Sequence, residues 1–371
     1  VIWRRTQERG LVFDVKAHLR KLVEAHGPSG YEAPVRAILA EEWRALTDEQ
    51  TQDGLGSLIG IKRATRRTDP ATPARKIMLA AHIDEIGMLV RDIVDGFLYI
   101  TRISGVDNRV MLSQTVMVHG RAGKQFPGVV AAVPPHLLTE AQRQKYPTWD
   151  ELIVDVGLPA DEVEKWVRIG DPVTVDVPMV ELLGTKIAAK AMDDRACVAI
   201  VTACLHELSK MHHAWDVYAV GTVQEETGLF GASTAAEKVA PDLAIALDVG
   251  FAKQPGVEGD DLGGGPVLAI GPNLHPKLVD KLRESAKRYD IKIQDEAVAG
   301  PTGTDAWAIQ IARNGIPTAL LSLPLRNMHS PVETADVRDI ERTARLLALF
   351  ISDLSETFLG ELAWDEAKAE A

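Results

Sequence analysis

Apolar residues recur along this chain at two different spacings. Val12, Val15, Leu19, Leu22 and Val23 share one helical face, and Gly27-Pro28-Ser29-Gly30 ends the pattern. Val35, Ile38, Leu39 and Trp43 predict a second helix. Residues 76–81, Lys-Ile-Met-Leu-Ala-Ala, form a short apolar run of the kind a strand shows when both its faces are buried. Between residues 91 and 182 the texture changes. Short Val- and Ile-rich runs at 97–100, 115–118, 128–131 and 172–177 are separated by Gly, Pro and Asp, which predicts a small all-β unit. Residues 134–146 are polar and predict a loop. From residue 183 onward strand and helix alternate. Strands are predicted at 215–220, 243–247 and 318–322, and helices at 195–211, 276–289, 305–314 and 337–359. That alternation predicts an α/β sheet with helices on its faces. The predicted layout is one α/β domain over 1–90 and 183–371, interrupted by a β-rich insertion over 91–182.

Four polar segments fall where predicted strands end. They are His82-Ile83-Asp84, Gln224-Glu225-Glu226, Asp248-Val249-Gly250 and Asn327-Met328-His329. A fifth, Asp193-Asp194-Arg195, opens a helix. Open α/β sheets bind ligands beyond the carboxyl ends of their strands, so these exits could converge on one crevice. The set holds imidazoles and carboxylates but no thiolate, a mixture suited to Zn²⁺, Co²⁺ or Mn²⁺. His82, Asp193, Glu226, Asp248 and His329 are enough for two ions if one carboxylate bridges them. Hydrolysis then needs a further carboxylate to take a proton from water. In Glu225-Glu226 one residue could ligate while its neighbour acts as base. The spacing of His82 and Asp84 lets the carboxylate hold the imidazole tautomer. Each segment alone also fits an ordinary role: a surface His, a solvated Glu pair, an Asp at a helix N-cap or in a turn. That ordinary account would have to hold five times over, four of them at one end of a sheet.

Composition narrows the classes. The 371 residues carry 41 Lys+Arg against 53 Asp+Glu, a net charge of −12, which argues against a nucleic-acid binder. No apolar run is long enough to span a membrane. The two cysteines, Cys197 and Cys204, lie about 10 Å apart on a predicted helix, too far to bridge, and read as buried thiols of a reducing compartment. The start, Val1-Ile-Trp-Arg-Arg, has neither an initiator Met nor the apolar core of a secretion signal. The expected location is the cytoplasm. Gly263-Gly264-Gly265 lacks the Lys and Ser/Thr of a phosphate loop and reads as a flexible segment. Residues 300–305 could offer N–H groups to an anion or simply start a helix. The remaining histidines fall outside the strand exits and read as structural or surface residues.

At these residues the chain resembles the dinuclear metal aminopeptidases of the tetrahedral and glutamyl aminopeptidase type, some of which carry an older endoglucanase label. Ala81-His-Ile-Asp-Glu-Ile-Gly87, Ala191-Met-Asp-Asp-Arg195, Gln224-Glu-Glu-Thr-Gly228, Gly303-Thr-Asp-Ala306 and Met328-His-Ser-Pro-Val-Glu333 occur in the family's order. The resemblance implies a mixed-sheet α/β catalytic domain with helices on both faces, interrupted by a small β-barrel-like dimerisation domain. It implies that His82 and Asp248 hold one metal, Glu226 and His329 the other, and that Asp193 bridges. Glu225 would be the general base, and Asp84 would orient His82. Two divalent ions per subunit are implied, Zn²⁺ or Co²⁺ with Mn²⁺ as a further option. Peptide substrates and dimers that build a hollow dodecamer are implied as well. Asp305 would lie beside the site as a substrate-binding candidate. Arg326 and Lys253 follow predicted strands and could line a pocket for acidic side chains, or pair with nearby carboxylates. The alternatives are a deacylase or carboxypeptidase on the same scaffold, a metal-free glycosidase, and a scaffold protein with a vestigial site.

Overall fold

A computed structural model describes residues 13–67 and 73–364. Val12 and the chain start at residues 1–5 lie outside the described residues.

Eight strands form one mixed sheet. In spatial order they are Glu49–Gln52, Leu58–Lys62, Asp216–Thr222, Lys76–His82, Leu243–Phe251, Thr318–Leu325, Val267–Ile270 and Gln294–Ala297. The four that include Lys76–His82 and its neighbours are parallel, with Thr222 paired to His82, Ala246 to Ala80 and Asp248 to Ser322. Their carboxyl ends therefore leave the sheet along one edge. Every residue of Asp216–Thr222 and Thr318–Leu325 is buried, so both faces need cover. The helix Met192–Leu208 packs on Lys76–His82 and Leu243–Phe251, with Val15–Val23 and Val337–Asp353 against it. The helices Phe230–Val239 and Asp305–Gln310 pack on each other and on the same parallel strands.

Just after Lys76–His82 the chain leaves this sheet for a closed antiparallel barrel. Gly87–Val94, Phe97–Ile103, Ile153–Asp155, Gln125–Ala131, Thr115–His119 and Pro172–Val175 pair around it in that order. Met88, Val90, Leu98, Ile100, Val116, Val118, Val154 and Val173 fill its core. Closure leaves no strand edge unpaired. A third sheet of Val180–Glu181, Lys186–Ala189 and Glu333–Asp336 brings the chain back, with Ala189 opposite Glu333. That pairing carries Asp193 towards His329.

Local departures from the pattern have physical causes. The predicted helix 337–359 ends at Asp353, where Trp215 Nε1 donates to the Ser355 carbonyl at 2.8 Å and pulls the chain out of register. The predicted helix 305–314 ends at Gln310, whose carbonyl accepts from the Ile316 N–H instead of continuing the ladder. The predicted loop 134–146 holds two helical turns, Pro135–Leu137 and Glu140–Arg143, the second closed by a Thr139–Gln142 capping box. The glycines at 263–265 are pinned rather than flexible. The N–H groups of Gly263 and Gly265 donate to the buried Asp339 carboxylate at 2.6 and 2.9 Å. Residues 300–305 start a helix in the ordinary way, with Thr304 accepting from the Ala306 N–H. Cys197 and Cys204 are buried and free. Among the described residues no helix is long and apolar enough to cross a membrane.

Candidate metal centre

The structure brings His82, Asp193, Glu225, Glu226, Asp248 and His329 together at the edge where the parallel strands end. Asp193 is central. Its Oδ1 lies 3.1 Å from His82 Nε2 and its Oδ2 lies 3.3 Å from His329 Nε2. Glu226 Oε1 is 3.4 Å from the same His329 nitrogen, and Glu225 Oε2 is 3.8 Å from His82 Nε2. Ligand atoms of His82, Asp193 and Glu226 all lie within 4.8 Å of one another, as do those of His82, Glu225 and Asp248. A third such group is Asp193, Asp194 and Asp248. The peptide between Asp193 and Asp194 is cis.

Asp84 organises this edge. The His82 Nδ1 lies 3.1 Å from the Asp84 carbonyl and 3.5 Å from its Oδ1. A carbonyl only accepts, so Nδ1 carries a proton and Nε2 is the ring nitrogen turned towards Asp193. The Asp84 carboxylate also accepts the N–H groups of Glu225 (3.1 Å) and Glu226 (3.2 Å) and the Ser29 hydroxyl (2.5 Å). Ala191, Gln224 and His329 all have positive φ, a costly conformation held here by the surrounding contacts.

Buried charge at this edge is out of balance. Burial pushes the Glu225 carboxyl up to about 10, with repulsion from Asp248, Asp305 and Glu226 adding to it against the pull of His82. Burial likewise drives Asp248 and Asp194 upward, and Asp305 up to about 6. Hydrogen bonds to Asp193 and Glu226 hold His329 up to about 11. At His82 burial opposes the charge, but Glu225, Asp193 and Asp84 outweigh it and the pKa stands well above the ordinary range. Asp194 Oδ1 and Asp305 Oδ1 are buried without a hydrogen-bond partner. Surplus carboxylates, lone pairs without donors and two imidazoles fit divalent cations.

The other sequence-derived candidates are placed differently. Asp305 is buried beside the cluster, where its Oδ2 accepts the Thr222 hydroxyl at 2.5 Å and its Oδ1 has no partner. Arg326 Nε donates to the Lys253 carbonyl at 2.8 Å, and neither residue is among those lining the crevice at the metal centre. Two contributors escaped the sequence reading. Buried Glu333 accepts the N–H groups of both Asp193 and His329. Ser104, from the barrel, donates to Glu226. Glu333 lay inside a quoted motif and could have been singled out there; Ser104 left no signal.

A family model described as M42 glutamyl aminopeptidase matches residues 57–346. The lysyl aminopeptidase of Pyrococcus furiosus is 38% identical over 344 residues, covering 91% of this chain and 96% of that protein. A solved aminopeptidase from the archaeon Desulfurococcus kamchatkensis is 36% identical with a TM-score of 0.86, covering 95% of this chain and 99% of that one. The TET1 peptidase of Pyrococcus horikoshii, described as able to assemble into a tetrahedron or a large octahedral shell, is 28% identical with a TM-score of 0.81. It covers 92% of this chain and 100% of its own.

Proposed function

This chain belongs to the M42 glutamyl aminopeptidase family, whose relatives are peptidases, and we propose that it removes N-terminal residues from peptides by two-metal hydrolysis. The observation that carries this reading is Asp193, a single carboxylate whose two oxygens face two different imidazoles at 3.1 and 3.3 Å. His82 and Asp248 would hold one ion, Glu226 and His329 the other, and Asp193 both. Two divalent ions, Zn²⁺, Co²⁺ or Mn²⁺, supply an activated water and polarise the scissile carbonyl when bound. Glu225 accepts the proton of the attacking water at its carboxylate and returns it to the leaving nitrogen. Bound cations beside it would bring its carboxyl down into the ionised range. Asp84 keeps Glu225 and Glu226 in place through their N–H groups and keeps the His82 Nε2 turned inward. Glu225 and Glu226 side chains are only 10% and 5% exposed, so bulk water has little access to the base.

In the same reading the barrel joins copies of the chain into dimers that build a larger shell. It exposes Val94, Phe97, Leu112, Val129 and Val133, and an assembled relative of the same fold supports this. Two buried free thiols fit a reducing cytoplasm. The test is chelator dialysis followed by metal titration, with turnover of an aminoacyl anilide recorded. Activity returns as two ions bind per chain. Full activity in chelator, or saturation at one ion, contradicts the reading.

A further inference from the structure

The crevice at the metal centre continues along the strand Leu243–Phe251, past Asp248. Gly250, Phe251, Glu296, Val298, Leu320 and Ser322 line this part. Asp248 and Gly250 are two apart on one strand and so face the same side, as do Leu320 and Ser322 on the next. Ser322 is the register partner of Asp248. A Cβ at Gly250 would sit 3.3 Å from the Ser322 Cβ and 3.8 Å from Glu296 Oε2. The floor between Asp248 and Glu296 is thus one glycine and one serine, about 7 Å along the strand for two residues. A larger side chain at 250 would close it.

Glu296 enters from the edge strand Gln294–Ala297, where it pairs with Ala269. Its carboxylate is half-buried, and among the described residues it has neither a hydrogen bond nor an ion pair. No Lys or Arg is among the residues lining the crevice. Burial pushes the Glu296 carboxyl upward, and repulsion from Asp260 adds to it. A carboxylate held half out of water is favoured by a cationic partner, and this one faces an open channel from the metal centre. Phe251, Val298 and Leu320 give the channel apolar walls, suited to the methylene stem of a long side chain with a charged tip.

We propose that Glu296 is the specificity residue of the pocket for the substrate's N-terminal side chain, and that this side chain is cationic, lysine or arginine. The inference rests on the two-metal reading, which fixes where the scissile bond lies. The stem runs over Gly250 and Ser322, and the charged tip reaches Glu296. An acidic side chain meets Glu296 and is repelled.

Lysyl, norleucyl and glutamyl p-nitroanilides test this. Norleucine has the lysine stem without the ammonium, and an anilide carries no amino acid beyond the scissile bond, so the series reads this one pocket. The expected kcat/KM is at least about tenfold higher for lysyl than for norleucyl, with glutamyl lowest. In Glu296→Gln the lysyl-to-norleucyl ratio falls below about threefold. A wild-type ratio near one, or a high ratio unchanged in Glu296→Gln, overturns the proposal. Calorimetric titration of the metal-loaded protein with free lysine and norleucine reads the same pocket without turnover. Lysine binding over norleucine with no hydrolysis of any anilide sinks the peptidase reading and leaves the pocket standing. Norleucyl turnover equal to lysyl sinks the pocket and leaves the peptidase. The wild-type comparison decides the matter if the variant does not fold.

Discussion

Ser104 Oγ donates a hydrogen bond to Glu226 Oε2 at 2.9 Å, joining the barrel to a candidate ligand 122 residues further along the chain. The next residue is as close: a Cβ on Gly105 would collide with the His329 imidazole. The barrel loop that follows Phe97–Ile103 therefore abuts two residues of the metal centre. Partners that orient metal ligands commonly matter about 10- to 100-fold in affinity. Ser104→Ala should weaken the Glu226–His329 metal site about tenfold in calorimetric titration. Gly105→Ala should displace His329 and cost more than tenfold in turnover while the circular dichroism spectrum is kept. Wild-type affinity and turnover in both would detach the barrel from the chemistry.

Glu333 serves two ligands at once. Its Oε1 accepts the His329 N–H at 2.7 Å and its Oε2 accepts the Asp193 N–H at 3.1 Å. Glutamine keeps only one acceptor oxygen, so Glu333→Gln turns an NH₂ towards one of those N–H groups. The expected cost is about 1–3 kcal/mol for a buried donor left unmet, together with weaker metal binding. Urea unfolding and metal titration check the two effects. A stability loss with unchanged metal affinity would make Glu333 a structural residue alone.

Arg195 is fully buried and uses all five of its N–H groups. They go to the carbonyls of Ile83, Leu22, Ala25 and Gly27 and to Glu85 Oε1. Lysine offers three donors on a different geometry. Arg195→Lys leaves at least two of these buried acceptors unmet and should destabilise the fold by about 3 kcal/mol, at about 1–3 kcal/mol for each. A melting temperature within a degree or two of wild type would refute this.

His18 sets a pH dependence. Thr202 Oγ1 accepts from Trp43 Nε1 and donates to the Val198 carbonyl, so it must accept from His18 Nε2. Burial, with Lys21 and His206 adding to it, pushes the imidazole down to about 4. The folded pKa is below the unfolded value of 6.5. The contribution is thus complete above pH 6.5 and is lost as pH falls towards 4, a difference of about 3 kcal/mol. His18→Gln keeps a donor to Thr202 and removes the titration. Its unfolding free energy should fall less steeply with pH between 6.5 and 4 than that of wild type. Parallel slopes would disprove the assignment.

What the sequence reveals follows from how far each cause reaches. Apolar runs at 76–81, 243–247 and 318–322 mark the central strands because burial on both faces leaves a local trace. The edge strands Glu49–Gln52 and Gln294–Ala297 leave none, since polar residues at a sheet edge satisfy one neighbour and the solvent. The strand-exit segments announce a crevice, because connectivity forces parallel strands to end together. The helix end at Asp353 depends on Trp215, 140 residues away from Ser355, and does not show in spacing. Ser104, Glu296 and Glu333 are ordinary polar residues until contacts across 120 residues or more, or an unpaired place in the crevice, give them a role. Arg326 and Lys253 looked like pocket residues from their position after strands, yet their mutual hydrogen bond lies away from the crevice lining.

The central claim is that Glu225 moves the proton at a two-ion centre. The direct measurement is kcat of metal-loaded Glu225→Gln on a good anilide substrate, with bound metal counted in the same sample. The side chain keeps its size and loses its basicity. The account predicts two ions per chain and a kcat lower by about 10²–10⁴-fold. Two bound ions with a kcat near wild type would contradict it.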